Sequence, residues 1–129
     1  MSQTTTLILL PQTAWSATVD NGNAYTVVGD EQPAASYIIT PRALQTVNIN
    51  LTEVNGNIII QATLATTPGE GDWFKVYELE ANANAASNSA PLEASNASTY
   101  TNITGNFVYL RAKMVDFNSG GINFVKLSY

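Results

Sequence analysis

Carboxylates are the remaining candidates for acid–base catalysis in this chain of 129 residues, because it contains no histidine and no cysteine. Glu70 and Asp72 flank a glycine, and Glu78 and Glu80 lie two residues apart. Glycoside hydrolysis needs two carboxylates that face each other across a cleft, one of them with a pKa raised by an apolar pocket. Neither pair has an apolar sequence context, and acidic side chains are mostly solvent-exposed. We therefore expect no catalytic residues and no enzyme activity.

Metal and cofactor chemistry has equally little support in the sequence. The absence of cysteine and histidine excludes disulfides, thiolate nucleophiles and the usual zinc and haem ligands. The segment Asp20-Asn21-Gly22-Asn23 is similar to the start of a calcium-binding loop, but the further acidic ligands and the bidentate glutamate of such loops are missing. Asparagine, aspartate and glycine also form ordinary turns, which is the interpretation we prefer. We expect neither a metal nor a cofactor.

Low charge is the most unusual feature of the composition. Charged residues make up 12% of the chain and the formal net charge is −5, with Asn, Thr and Ser as neutral replacements. Phosphate backbones require clustered Lys and Arg, so nucleic acid is not an expected partner. The apolar run Leu7–Leu10 is too short for a signal-peptide core or a membrane span. We expect a soluble protein that contacts other proteins rather than nucleic acid or a membrane.

Short segments with a two-residue period dominate the chain and predict β-strands. In Leu44–Thr52, apolar and polar residues alternate, which is typical of a strand with one buried face. Asn55-Gly56 is a strong hairpin signal, because both residue types tolerate positive φ. The following strand, Asn57–Ala65, includes three consecutive isoleucines and is predicted to be central in its sheet.

A second hairpin is predicted near the end of the chain. Phe107–Phe117 forms its first strand, residues 118–121 its turn and Ile122–Ser128 the return strand. The alternation assigns one face of the first strand to the core, and Arg111 and Lys113 to the opposite face beside Tyr109. The predicted core residues of this strand are Val108, Leu110, Ala112 and Met114.

The whole pattern predicts an all-β fold in a single domain spanning residues 1–129. Thr4–Leu10, Ala24–Val28, Ser36–Thr40 and Asp72–Tyr77 are further candidate strands. Residues 80–98 are rich in Ala, Asn and Ser and are predicted to form a long exposed loop. About eight strands separated by turns favour an antiparallel β-sandwich of the jelly-roll type, with a closed barrel as the alternative.

Candidate interaction residues come from the aromatic, apolar and basic positions that this fold would leave near its surface. Trp73 and Phe74 would straddle the sheet, with one of them in the core. Aromatic platforms can also bind sugars through the ring face. The expected interaction surface comprises Leu7, Leu9, Trp73, Tyr77, Tyr109, Arg111 and Lys113.

The chain also resembles a known family. It is similar to a β-sandwich module of virion structural proteins from tailed phages that infect marine bacteria such as cyanobacteria. The resemblance covers most of the chain, whereas residues 80–98 depart from the family pattern. The segments that carry it are Gln32–Tyr37, Leu44–Val47, Gln61–Pro68, Asp72–Phe74, Gly105–Lys113 and Gly121–Tyr129.

This resemblance implies a non-enzymatic virion component that is assembled in the host cytoplasm. It would form homo-oligomers and bind other virion proteins. We expect a capsid decoration or cement protein that binds between capsomers, with the major capsid protein or tail components as partners. The N-terminal segment Ser2–Leu10 would pair with the sheet edge of a neighbouring chain. The alternative is a tail or head-fibre adhesin domain that binds host-surface glycans, and an enzyme is a third class.

Overall fold

A computed structural model describes residues 6–19, 21–38, 43–82 and 98–129. The chain is all-β, as predicted, and the eight strands within these ranges form one antiparallel hydrogen-bonded sheet. A helical turn, α1 (Ala35–Ile38), and a 3-10 turn (Glu70–Asp72) lie between strands. The strands are β1 (Thr6–Leu10), β2 (Thr13–Ala14), β3 (Tyr25–Val28), β4 (Gln32–Pro33), β5 (Leu44–Thr63), β6 (Phe74–Asn82), β7 (Ser98–Thr104) and β8 (Tyr109–Ser128).

Two 20-residue strands, β5 and β8, organise all the others. They pair with each other from Thr46↔Ser128 to Thr63↔Tyr109. The strands β1, β2, β3 and β4 all pair with β8, while β6 and β7 pair with β5. Every other strand therefore depends on the central β5–β8 ribbon for its hydrogen-bonding partner.

The ribbon and its neighbours divide into two stretches, each four strands wide, which we call half A and half B. Half A contains β1, residues 122–128 of β8, residues 44–51 of β5, and β7. Half B contains β3 and β4, residues 109–115 of β8, residues 55–63 of β5, and β6. The register between β5 and β8 shifts where the halves meet.

Bulges at this junction change which residues face the core. Glu53 in β5 and Asp116 in β8 both adopt positive φ, at 51° and 54°. Residues 53 and 54 in β5 oppose a single residue, Gly120, so the alternation changes phase there. The buried hydrophobic residues of β5 are accordingly odd-numbered before the bulge (Val47, Ile49, Leu51) and even-numbered after it (Val54, Ile58, Ile60, Ala62).

Both halves contribute to one hydrophobic core. Val125 and Leu127 from half A and Leu110, Ala112 and Met114 from half B belong to the same cluster of fully buried side chains. The prediction of Leu110, Ala112 and Met114 as core residues is confirmed, whereas Val108, which precedes β8, is half-buried and lies outside the core cluster. Two sheet halves that share one core are compatible with the predicted sandwich.

Neither predicted hairpin exists. Asn55 and Gly56 lie inside β5, and residues 118–121 lie inside β8, because the positive-φ residues serve bulges rather than chain reversals. Asn57 pairs with Val115 and Asn55 with Ser119, so each segment finds its partner in the other strand instead of in itself. For the same reason, the two strands predicted on either side of each turn belong to a single 20-residue strand. The predicted central position of residues 57–63 is confirmed.

Two other local predictions are corrected by long-range contacts. Residues 35–38 form α1 rather than a strand, and residues 39 and 40 lie outside the described residues. The buried Gln45 side chain accepts a hydrogen bond from the Ala35 backbone N–H (3.0 Å) and donates one to the Ile103 carbonyl (2.7 Å). It thus joins the start of α1 to β5 and β7, which no local pattern reveals.

The predicted loop at residues 80–98 overlaps a strand at each end. β6 extends to Asn82 and β7 begins at Ser98, so the flanking residues belong to strands; residues 83–97 lie outside the described residues. β7 itself was not predicted. Its alternation is clear in Ser98–Thr104, but the polar composition resembles that of the preceding segment.

Tyr129 connects the end of half A to half B through a hydrogen bond. Its hydroxyl donates a hydrogen bond to the Pro33 carbonyl in β4 (2.9 Å), and 6% of the residue remains exposed. Burial raises the pKa of the Tyr129 phenol above its ordinary value. The folded protein therefore favours the neutral phenol over the phenolate.

Replacing Tyr129 with Phe tests this contact through its pH dependence. At pH 8 the wild type should be more stable by about 1 kcal/mol, the usual net contribution of such a hydrogen bond. A raised folded-state pKa means that this stability is complete below the unfolded-state value of about 10 and is lost as pH rises through the folded-state value. Urea unfolding at pH 8, 10 and 11.5 measures the difference. A gap between the two proteins that stays constant over this range would contradict the assignment.

Gly120 provides a second test, this time of the junction. It adopts φ +76°, and a Cβ there would overlap the backbone carbonyl of Glu53. Gly120→Ala should lower the free energy of unfolding by roughly 2–4 kcal/mol, because strain and overlap add. Gly22→Ala is the matched control, since Gly22 has φ +83° with open space around it and should cost only about 1 kcal/mol. Equal losses in thermal or urea unfolding would show that no close approach exists at Gly120.

Candidate functional site

The seven predicted interaction residues do not form one surface. Leu9 is fully buried in the core, so its side chain is not available to a partner. Leu7 and Tyr77 are half-buried and pack against the core. Tyr109, at the start of β8, is half-buried and pairs with Pro33 and Thr63 in the sheet. Lys113 lies half-exposed on the outer face of half B.

Arg111 and Trp73 are the two predicted residues that the fold brings together. The guanidinium carbon lies 4.3 Å from the centre of the Trp73 ring, and Arg111 Nε donates to Gln61 Oε1 (2.7 Å). Arg111 is 8% exposed. Its contact with the exposed Glu70 carboxylate is long, at 3.5 Å. Arg111 is therefore not a freely projecting cation, because it is largely buried and connects Trp73 to Gln61, an arrangement that we call the Arg111–Trp73 brace.

Trp73 and Phe74 both lie outside the core cluster. Trp73 is half-buried above Arg111, and Phe74 is 40% exposed, with an edge-to-face contact to Phe107 at 5.9 Å between ring centres. The expectation that one of them fills the core is wrong. β6 begins only at Phe74, after the 3-10 turn, so the strand alternation does not apply to Trp73.

Of the carboxylates singled out from the sequence, Asp72 and Glu78 accept hydrogen bonds from nearby groups. Asp72 accepts a hydrogen bond from the Gly69 backbone N–H (2.8 Å) and so closes the 3-10 turn. Glu78 accepts hydrogen bonds from Lys75 Nζ (2.8 Å) and Asn57 Nδ2 (3.0 Å). The Lys75 ammonium, which donates the shorter of these bonds, holds the pKa of Glu78 below its ordinary value. Glu80 is exposed at the end of β6.

The outer face of half A is a different kind of surface. Its side chains alternate with the buried ones along four strands, and Lys126 is the one charged residue among its described members. We call it the Asn/Thr face. Its described residues are Thr6, Ile8, Leu44, Thr46, Asn48, Asn50, Thr52, Ser98, Tyr100, Asn102, Thr104, Phe124, Lys126 and Ser128.

Hydrogen bonds between strands organise this face. Thr46 Oγ1 donates to Asn102 Oδ1 (2.8 Å) across β5 and β7. Asn123, the extra residue at a bulge in β8, donates through Nδ2 to Asn50 Oδ1 (2.6 Å) and Thr52 Oγ1 (3.0 Å). Such cross-strand pairs hold polar side chains in fixed positions.

A groove of about 350 Å³ lies on the Asn/Thr face. Lys126 Nζ sits 4.2 Å from the centre of the Phe124 ring. Asn48 Oδ1 is buried and has no hydrogen-bond partner among the described residues. The groove is lined by Thr6, Thr46, Asn48, Phe124, Lys126 and Ser128.

Sequence reasoning missed this groove, although its signal was partly visible. The alternation in Leu44–Thr52 places Thr46, Asn48 and Asn50 on the solvent-exposed face of a strand. It does not reveal their neighbours Phe124 and Lys126, which lie about 75 residues further along the chain. Only the β5–β8 register, which pairs Asn48 with Lys126 and Asn50 with Phe124, brings them together. The misassigned hairpins concealed that register.

Comparison with known proteins gives no relative for this chain. No protein-family model, curated protein or solved structure matches it. Over the described ranges, no helix has the length and apolar character needed to cross a membrane. In the same part of the chain, no group of three acidic side chains could hold a metal ion.

The brace formed by Arg111 generates a stability prediction. Arg111→Lys keeps the charge but loses the planar donor to Gln61 and the stacking on Trp73, so unfolding free energy should fall by roughly 1–3 kcal/mol. Lys113→Met, two residues away on the same outer face and half-exposed, should change it by less than about 0.5 kcal/mol. Urea unfolding of both variants compares them. Similar values for the two would contradict the bracing role.

Proposed function

We propose that this chain is a non-enzymatic structural protein of a phage virion, a capsid decoration or cement protein that binds between capsomers. Two things support the proposal. The sequence resembles virion β-sandwich modules over most of its length, and the fold has an uncharged, apolar edge strand at β1. The edge strand is the observation that carries it.

β1 lies at one end of the strand order, and among the described strands it is hydrogen-bonded to β8 alone. Its sequence, Thr-Leu-Ile-Leu-Leu, contains no charge, and Ile8 is 41% exposed. Proteins commonly protect sheet edges with charged residues, because a bare edge pairs with other chains. β6, one of the edge strands of half B, carries Lys75, Glu78 and Glu80 and so differs from β1 in this respect.

The opposite edge of half A complements β1. β7 pairs only with β5 among the described strands and is also uncharged. The β1 edge of one molecule and the β7 edge of another, or of a capsid protein with a similar edge, would form a continuous antiparallel or parallel ladder. The N-terminal segment that is expected to pair with a neighbouring chain thus forms β1, an edge strand of its own sheet. The unpaired side of β1 would then pair with the neighbour.

A cementing role requires durable contacts with more than one neighbour. Interfaces of that kind usually bury more than about 1,200 Å² in total. The Asn/Thr face offers neutral hydrogen-bonding side chains beside the edge, and neutral contacts are little affected by salt. Partners would be the major capsid protein or tail components together with further copies of the chain.

The groove favours a second candidate. A tail or head-fibre adhesin domain that binds host-surface glycans would need an aromatic ring and fixed polar side chains in a shallow depression. Phe124 and Thr46, whose hydroxyl is held by Asn102, meet that description. Trp73, one of the expected interaction residues, lies instead on the outer face of half B, where it covers Arg111.

Copy number separates these roles. Quantitative mass spectrometry of purified particles of the encoding phage should find hundreds of copies per particle if the chain coats the capsid. A dozen copies or fewer would assign it to the tail, the neck or a fibre, in favour of the adhesin. Absence from the particle would overturn both.

The edge itself is tested by Ile8→Lys, which places a charge on β1. Particles lacking the chain, prepared by deleting its gene, should bind purified wild-type protein and gain resistance to heat. Ile8→Lys should reduce binding at least about tenfold, because a charged residue on an edge strand disfavours the addition of another strand. Leu64→Lys is the matched control, since Leu64 is 65% exposed just beyond β5 and should bind like the wild type. Undiminished binding of Ile8→Lys would exclude β1 as the docking edge.

A further inference from the structure

We infer that the groove on the Asn/Thr face binds a saccharide that bears a carboxylate group. This inference goes beyond the virion role and does not depend on it, because it concerns the groove alone. Three observations carry it: an aromatic ring in an open groove, a lone cation beside that ring, and an unpaired hydrogen-bond acceptor.

Phe124 supplies the apolar contact. Sugar rings have an apolar face of C–H groups that packs on aromatic rings, and mostly apolar grooves with a few fixed polar groups are typical ligand sites. Phe124 is half-exposed and lines the groove. Its volume, about 350 Å³, lies at the lower end of the range for small-ligand sites, roughly 300–1,000 Å³. A ligand of one or two sugar rings fits that size.

Lys126 selects for negative charge. Its ammonium rests over the Phe124 ring and makes no ion pair with any carboxylate among the described residues. The described part of the Asn/Thr face contains no acidic residue to compensate it. A ligand carboxylate would form a charge-assisted hydrogen bond with this ammonium. A single cation also excludes a polyanion such as nucleic acid, which needs several.

Asn48 and its neighbours would bind the neutral hydroxyl groups of the ligand. Asn48 Oδ1 lacks a donor among the described residues, and a sugar hydroxyl can supply one. Rotation about χ2 of asparagine is broad, so the amide of Asn48, which lines the groove, can reorient to meet a ligand. Thr46 is fixed by its bond to Asn102, which leaves its hydroxyl oxygen able to accept a further hydrogen bond.

The test is a glycan array that displays uronic acid and sialic acid glycans beside their neutral counterparts, followed by calorimetric titration of the best acidic glycan and its methyl ester. Wild-type protein should bind acidic glycans saturably and should bind the methyl ester about tenfold more weakly, as expected when one charge-assisted contact is lost. Lys126→Gln should lower the affinity for the acid by a similar factor and leave the affinity for the ester unchanged.

Lys113→Gln is the matched control, because it removes the same charge from the outer face of half B and should bind within about twofold of the wild type. Phe124→Leu should weaken the acid and the ester alike, with circular dichroism confirming an intact sheet. Equal losses in Lys113→Gln and Lys126→Gln would show a non-specific effect of net charge and overturn the inference. So would the absence of saturable binding to every acidic glycan by the folded wild type. Neither result depends on particle copy number.

Discussion

The pairing of β5 with β8 is the interaction on which the rest of the structure depends. It joins residues between 46 and 82 positions apart in the sequence, from Thr63↔Tyr109 to Thr46↔Ser128. Closing such long loops costs entropy before any contact repays it, so a ribbon of this kind needs extensive burial to be stable. The burial comes from the two halves, whose inner faces share one core around Phe117, Leu127 and Ile58.

The bulges at the junction of the two halves also separate two different outer faces. Because the alternation changes phase at Glu53 and again along β8, each half presents its own polar surface. Half B carries ion pairs and the Arg111–Trp73 brace, whereas half A carries neutral Asn and Thr side chains with Lys126 as the described cation. The proposed docking edge and the proposed saccharide groove both belong to half A, on an edge and a face that do not overlap except near Thr6 and Ile8.

The sequence was sufficient to predict the class of fold and buried residues such as Leu110, Ala112 and Met114, because two-residue alternation is a local property. It was insufficient for topology. Asn55-Gly56 and Ser119-Gly120-Gly121 have the residue types of hairpin turns, but positive φ serves a bulge equally well, and only the partner strand decides between them. For the same reason Lys113 could be assigned to an outer face, while the burial of Arg111 beneath Trp73 and the meeting of Asn48 with Lys126 could not.

Cross-strand nuclear Overhauser effects between backbone protons test the central pairing most directly. The β5–β8 ribbon predicts contacts between Asn48 and Lys126 and between Ile59 and Lys113, on either side of the junction. A hairpin closed at Asn55-Gly56 would instead pair Thr52 with Ile59. Observation of the first set confirms the ribbon, and observation of the Thr52–Ile59 contact would contradict it together with the groove and the edge that follow from it.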